Sequence, residues 1–361
     1  MRKFPKLQLT APTLAGAALL IIFALVIYRY GSPKFSQRLL PEETSKSVFA
    51  ECHNAPLKDC YQIHLAAAVK QSGLSFGISV LKILQAQEPA VRFCHTLAHK
   101  MGTTAVISAP NRWSALVNEI NPQECSGGYF HGILEAHASL NEGNELTTAE
   151  ISSLCGQENS YRAGSCAHIL GHLLLVSSLA DIDQALGLCQ KNSVLPLQKE
   201  CFSGVFMENM TKENLSDHQL VQRAPWGEES IKETERLCGK YDADVALACW
   251  GELGHMYAAV HNDNVPVVYR LCQRSQSQEF TQYCYLKAAD KMAVTMTQQS
   301  EVNQICSPFK EKETSELCIS HVVSSMINNS DAFISRAQTF CEGTSNYKAY
   351  CLAAIENSKI N

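Results

Sequence analysis

Cysteines recur along this chain at a regular interval, and that interval is the strongest constraint on its fold. Many of the 16 cysteines open apolar segments that read as amphipathic helices. The steps between these cysteines run from 31 to 48 residues, and most lie close to 34: Cys60, Cys94, Cys125, Cys166, Cys201, Cys249, Cys284, Cys318 and Cys351. A period near 34 residues is the length of one helical hairpin in a stacked array. The sequence therefore predicts an all-α fold built from helical hairpins.

A second cysteine precedes most of these by 8 to 12 positions, at the end of the preceding helix. A disulfide between the two would tie the end of one helix to the start of the next, contributing roughly 2–3 kcal/mol in the chain-entropy model. Free cysteines buried on core faces are the alternative. The predicted pairs are Cys52–Cys60, Cys155–Cys166, Cys189–Cys201, Cys238–Cys249, Cys272–Cys284, Cys306–Cys318 and Cys341–Cys351.

Two of the helix-opening cysteines, Cys94 and Cys125, have no such preceding partner. They can bond to each other across adjacent hairpins, which the even number of cysteines favours. Otherwise they are free thiols at helix N-termini, where a thiol becomes a metal ligand or an activated nucleophile.

The period and the cysteine pairing resemble those of disulfide-stapled αα-repeat proteins of the Sel1-like kind, relatives of the tetratricopeptide repeats. The segment Trp250-Gly-Glu-Leu-Gly-His-Met-Tyr257 is similar to the W-x2-L-G-x2-Y opening of a tetratricopeptide helix, although Pro266 stands where that repeat has alanine. The resemblance implies a right-handed solenoid of eight or nine hairpins, and it transfers no functional residue. The longest step between cysteines predicts an insertion at about residues 211–232.

The N-terminus predicts a membrane anchor. Lys6 and Arg29 bracket 22 uncharged residues, a length sufficient for a spanning helix. A cleaved signal peptide is the alternative, although YRYGS after the apolar run lacks the small-x-small pattern of a cleavage site. Because disulfides persist in oxidising compartments, we expect a periplasmic, extracellular or lumenal domain. The expected order is cytoplasmic residues 1–6, a transmembrane signal anchor at 7–30, a polar stalk at 31–48 and a repeat domain at 49–361.

Composition narrows the classes of function. The net charge is −5, and no basic patch interleaved with aromatic residues occurs, so nucleic acid is not an expected partner. The sequence contains no C-x-x-C, no H-E-x-x-H, no nucleophile elbow and no glycine-rich phosphate loop.

Imidazoles and one carboxylate cluster between residues 93 and 172, at helical spacing. The i, i+4 pairs, each on one helix face, are His95 and His99, His131 and Glu135, and His168 and His172. Paired imidazoles at this spacing are a common way for helices to hold metal. We therefore expect the five histidines to bind a transition metal (zinc, iron or copper), with Glu135 as a candidate catalytic base. A metal-free polar cleft and purely structural histidines are the alternatives.

The offset of each histidine from its helix-opening cysteine predicts their relative heights. His99 lies at +5, whereas His131, His172 and His255 lie at +6, which predicts one band on the concave wall of the array. His255 keeps the +6 offset, but the positions flanking it on its face are Gly251 and Ala259, which offer no second ligand. Glu208 and Glu252 lie on second helices without histidine partners, so we expect these carboxylates to be solvated or locally paired. The competing function is a non-enzymatic adaptor that holds a peptide or membrane-protein partner on the concave surface.

Overall fold

A computed structural model describes residues 40–360 apart from 54–57, 89–90, 92–93, 121–123, 141–159, 192–194, 212–227, 262, 297 and 330–332. Within these ranges every regular element is a helix, which confirms the all-α class. The α-helices are α1 (Pro41–Cys52), α2 (Lys58–Ser72), α3 (Leu74–Gln87), α4 (His95–Ser108), α5 (Trp113–Val117), α6 (Gly128–Leu140), α7 (Ser160–Ser177), α8 (Ile182–Cys189), α9 (Leu195–Thr211), α10 (Glu228–Cys238), α11 (Ala243–Val260), α12 (Val265–Cys272), α13 (Gln278–Thr295), α14 (Gln299–Val302), α15 (Lys312–Asn329), α16 (Ile334–Gly343) and α17 (Lys348–Ile360). Short 3-10 turns lie at Pro110–Arg112, Glu124–Gly127 and Ser345–Tyr347.

Local sequence determines where several of these helices begin. The side chains of Asp181, Asn264 and Ser277 each accept a hydrogen bond from the backbone N–H three residues later, at the starts of α8, α12 and α13. Such caps satisfy backbone donors that the first helical turn leaves unpaired. The short helices α8 and α12 end at cysteines, as the sequence pattern predicts.

Disulfides join helices that are close to each other in sequence. The structure contains Cys52–Cys60, Cys94–Cys125, Cys189–Cys201, Cys238–Cys249, Cys272–Cys284, Cys306–Cys318 and Cys341–Cys351. Cys94 and Cys125 therefore bond to each other and are not free thiols. Cys166 is also disulfide-bonded, whereas its predicted partner Cys155 lies outside the described residues.

The longer helices, α2, α4, α6, α7, α9, α11, α13, α15 and α17, pack against one another in sequence order and form a continuous row. The row curves back on itself, because α15 contacts the Glu124–Gly127 turn that precedes α6. The same approach places the Cys94 sulfur 3.6 Å from the backbone and side-chain oxygens of Asn329.

Glycines bring three pairs of neighbouring helices into backbone contact. A Cβ at Gly132 of α6 would lie 1.9 Å from the carbonyl oxygen of His99 on α4. The equivalent distances are 1.8 Å from Gly204 of α9 to His168 on α7, and 2.0 Å from Gly254 of α11 to Cys284 on α13. No side chain larger than hydrogen fits at such contacts. Two of the three pairs carry the predicted ligands.

Only part of the N-terminal region lies within the described residues. Residues 1–6 and the predicted anchor at 7–30 lie outside the described residues. Among the helices that are described, none combines the length and the apolar content needed to cross a bilayer. Residues 41–48, which composition assigned to the stalk, form the first two turns of α1. They are helical and packed because Ser45, Val48 and Cys52 are buried.

The predicted insertion at about residues 211–232 also lies mostly outside the description, since residues 212–227 are not described. Its last residues, 228–232, begin α10. They are part of an amphipathic helix that buries Ile231 and Thr234.

Candidate metal centre

Three imidazoles meet where α6 and α7 face each other. His131 comes from α6, and His168 and His172 come from α7. Each ring offers one nitrogen such that the three nitrogens lie within 4.8 Å of one another. His131 and His172 are only 5 % and 7 % exposed. The structure thus brings three of the five predicted ligands together in a buried cluster that can hold a metal ion.

The other two predicted ligands, His95 and His99, approach His131 from α4. Their ring centroids lie 4.9 and 6.5 Å from that of His131. Glycine contacts between α4 and α6 enforce this proximity, since Gly132 directly follows His131 in sequence. All five histidines are therefore neighbours. Among the described residues, however, only His131, His168 and His172 form a group whose ligand nitrogens all lie close to one another.

Each of these α4 imidazoles is engaged by other groups. His95 hydrogen-bonds to the backbone of Cys125 and Ser126, which adopt left-handed φ angles of 53° and 51°. The Nε2 of His99 lies 2.8 Å from an oxygen of Glu135. Glu135, the candidate base, is thus held beside the triad by a neighbouring histidine.

His172 has the bonding pattern of a metal ligand that a carboxylate supports. Its Nδ1 lies 2.8 Å from Glu208 Oε2, so the Nδ1–H donates to that carboxylate. Its Nε2 is buried without a hydrogen-bond partner among the described residues. Buried polar atoms are nearly always paired, and metal-binding histidines characteristically donate their other ring N–H to a carboxylate.

A thioether lies beside the third imidazole of the triad. The Nε2 of His168 lies 3.4 Å from the Sδ of Met207 on α9. Contact between Gly204 and the His168 carbonyl places α9 at this distance. Sequence reasoning did not single out Met207.

Burial keeps most of the cluster in the neutral, ligating form. It lowers the pKa of His131 well below the ordinary value, and the four surrounding imidazoles lower it further. Burial likewise is the main cause that lowers the pKa of His95 to about 4 and of His168 to about 3. In His172 burial also acts against the charge, but the hydrogen bond to Glu208 and the negative charges of Glu135 and Glu208 together outweigh it and raise the pKa.

Two carboxylates expected to be solvated or locally paired are both buried. Glu208 bonds to His172, and Glu252 is 4 % exposed, accepts a hydrogen bond from the Ser203 hydroxyl and lies 3.1 Å from His255 Nδ1. Burial acts against the Glu252 charge, but the charge and hydrogen bond of His255 lower its pKa to about 2. The local alternative holds for Glu252, whose partner His255 lies three residues along the same helix. The expectation is wrong for Glu208, because its partner lies on the adjacent helix.

One sequence signal could have revealed such a partner. The pairs His99–Glu135 and His172–Glu208 are both separated by 36 residues, close to one repeat. A histidine and a carboxylate one repeat apart therefore predict contact between adjacent long helices.

The histidines at offsets +5 and +6 lie close together, as the offsets predict. The ring centroid of His131 lies 6.5 Å from that of His99 and 5.8 Å from that of His172. Backbone contacts lie beside these rings, since Gly132 contacts the carbonyl of His99 and Gly204 contacts that of His168.

A second group with ligand-type atoms does not form a metal site. Cys52, Cys60 and His64 lie close together, but the two sulfurs are bonded to each other and offer no thiolate. His64 lies 3.2 Å from Glu51. The two cysteines of this cluster therefore form a structural disulfide.

No protein-family model, curated protein or solved structure matches this chain.

Proposed function

We propose that this chain is an extracytoplasmic metal-binding protein, tethered by its N-terminal segment, that holds one transition-metal ion between α6 and α7. The observation that supports this most directly is the buried triad of His131, His168 and His172, whose ligand nitrogens lie within 4.8 Å of one another. The disulfides indicate an oxidising compartment. The Sel1-like solenoid architecture stands as part of the same proposal.

The triad needs only a small adjustment to bind an ion. Two nitrogens bound to one ion at about 2.0 Å with tetrahedral angles lie about 3.3 Å apart. Nitrogens up to 4.8 Å apart reach that separation by modest rotations about side-chain bonds, without movement of α6 or α7. Mutual repulsion between protonated imidazoles favours the neutral form of the rings. A neutral imidazole has a free nitrogen lone pair, which can bind a metal cation.

The residues around the triad have distinct roles in this proposal. Glu208 fixes the tautomer of His172 so that Nε2 faces the ion, and its negative charge compensates the cation. Glu135, which is oriented by His99, is the candidate general base. Metal-dependent catalysis through Glu135 is a further expectation. The adaptor hypothesis for the concave surface is the competing prediction, and it requires no metal.

Metal content is the decisive measurement. The protein, purified with its disulfides intact, is equilibrated separately with Zn(II), Fe(II) and Cu(I) and freed of unbound ion, and the bound metal is quantified by mass spectrometry. We expect about one ion per chain and its loss in a His131→Ala, His172→Ala double variant. His321→Ala is the matched control, because this partly buried histidine pairs with Asp290 outside the triad.

Affinity separates ligands from supporting groups. Glu208→Gln is expected to weaken binding about 10–100-fold while leaving the stoichiometry at saturation unchanged. A wild-type content below about 0.2 ion per chain with every metal, under conditions where a typical buried site saturates, would refute the proposal.

A further inference from the structure

The partner of His168 distinguishes this site from one built for zinc. In the α4–α6 pair, His99, whose carbonyl contacts Gly132, faces the carboxylate of Glu135, three residues after that glycine. In the α7–α9 pair, His168 faces the thioether of Met207, three residues after Gly204. The same backbone contact thus places an oxygen ligand in one pair and a sulfur atom in the other.

A thioether is a poor choice for satisfying a buried imidazole. Its sulfur is only a weak hydrogen-bond acceptor, whereas the carboxylate at the equivalent position in α6 makes a 2.8 Å hydrogen bond. As a metal ligand, however, the sulfur is well placed. Nitrogen and sulfur atoms 3.4 Å apart, bound to one ion at about 2.0 and 2.3 Å, subtend an angle of about 100°, near the tetrahedral value.

Sulfur selects the metal. Soft thioether ligands favour Cu(I), whereas carboxylates and water suit harder cations. The usual soft ligand, a cysteine thiolate, is missing from the described part of the chain because each cysteine there is disulfide-bonded. Because cysteines form disulfides in an oxidising compartment, methionine is the residue that can still offer a sulfur ligand to a metal there.

We propose that Met207 is the fourth ligand of the His131, His168 and His172 site, and that the resident ion is copper in its Cu(I) state. This inference depends on the metal-binding function proposed above. Because three neutral imidazoles and a thioether carry no charge, the net charge of the four ligands and the ion is that of the ion. Glu208, hydrogen-bonded to His172, supplies the compensating negative charge.

The test compares two metals in two methionine variants. Cu(I) is held reduced by ascorbate under anaerobic conditions, which leaves disulfides intact, and its affinity is measured by competition with bicinchoninate. Zn(II) affinity is measured by competition with a chromogenic zinc chelator. We expect Met207→Leu to weaken Cu(I) binding at least about tenfold and to change Zn(II) binding much less. Met210→Leu, on the same helix and buried in the core, is the control and should change neither.

X-ray absorption at the copper edge provides a readout on the unmodified protein, which does not depend on how the variant folds. We expect a sulfur scatterer at about 2.3 Å from copper that disappears in Met207→Leu. If copper binds with nitrogen neighbours alone, or if Met207→Leu leaves Cu(I) affinity unchanged, Met207 is not a ligand and this inference is overturned while metal binding stands. If neither Zn(II) nor Cu(I) binds, the proposed function itself fails.

Discussion

Replacing Gly132 by alanine tests how the helices are brought together around the site. The added Cβ would lie 1.9 Å from the carbonyl oxygen of His99 and 2.9 Å from the backbone nitrogen of Thr103. Neither atom can rotate away, since both belong to the α4 backbone. The helices must therefore separate by at least about 1 Å to restore ordinary van der Waals distances.

The magnitude follows from two opposing effects. Overpacking costs about 1–3 kcal/mol, and the rigid backbone contact places Gly132→Ala at the upper end of that range. The higher helix propensity of alanine offsets about 1 kcal/mol. We expect a net loss of about 2 kcal/mol in the free energy of unfolding, measured by urea denaturation with the disulfides intact. Because His131 moves with its neighbour, metal affinity should fall although every ligand is present.

Gly187→Ala is the matched control. It also lies inside a helix, but an added Cβ there meets no atom within 4 Å, so we expect stability to rise by as much as about 1 kcal/mol without any change in metal affinity. If Gly132→Ala stays within about 0.5 kcal/mol of the wild type, as ordinary surface substitutions do, the backbone contact does not hold α4 and α6 together and the reasoning is refuted.

Two further predictions concern acid and the cross-hairpin disulfide. The pKa of Glu252 is lowered to about 2 in the folded protein, so its contribution, about 3 kcal/mol, is complete above pH of about 4.5 and is lost as the pH falls toward 2. The difference in unfolding free energy between the wild type and Glu252→Gln should therefore shrink over that window, and a difference independent of pH would contradict the assignment. Replacing Cys94 and Cys125 together by serine opens a loop with a separation of 31 residues and should cost about 3–4 kcal/mol. Urea titration measures this loss, and a value below about 1 kcal/mol would show that the tight α4–α6 packing holds the two helices without the bond.

Much of the local structure could be read from the chain because it depends on near neighbours. Capping residues, helical spacing of histidines and cysteine pairs 8 to 12 residues apart are interactions within one helix or between consecutive helices. The i, i+4 spacing of His168 and His172 places both rings on one side of α7, and they are found there with centroids 4.9 Å apart. The cross-hairpin bond between Cys94 and Cys125 remained one of two alternatives until the fold showed it.

The composition of the site could not be read in the same way. Glu208 and Met207 carry no motif, and they reach the triad because Gly171 and Gly204 let the backbones of α7 and α9 touch. A contact of that kind depends on the register of two helices and on which side chains face each other across them, and no motif in the sequence specifies either. The unpaired Nε2 of His172 is likewise visible only after all its neighbours are in place.

By itself, then, the sequence determined an all-helical, disulfide-tied repeat and a group of histidines on successive long helices, because periodicity and spacing are properties of the chain. Tertiary structure alone decided that α15 meets the turn that precedes α6, which imidazoles share one set of ligand atoms, and which side chains support them. The physical reason is that glycine contacts fix helix register to within a fraction of a turn. A shift of one helix by a single turn relative to its neighbour would move a buried carboxylate or thioether away from a histidine and into contact with apolar core residues.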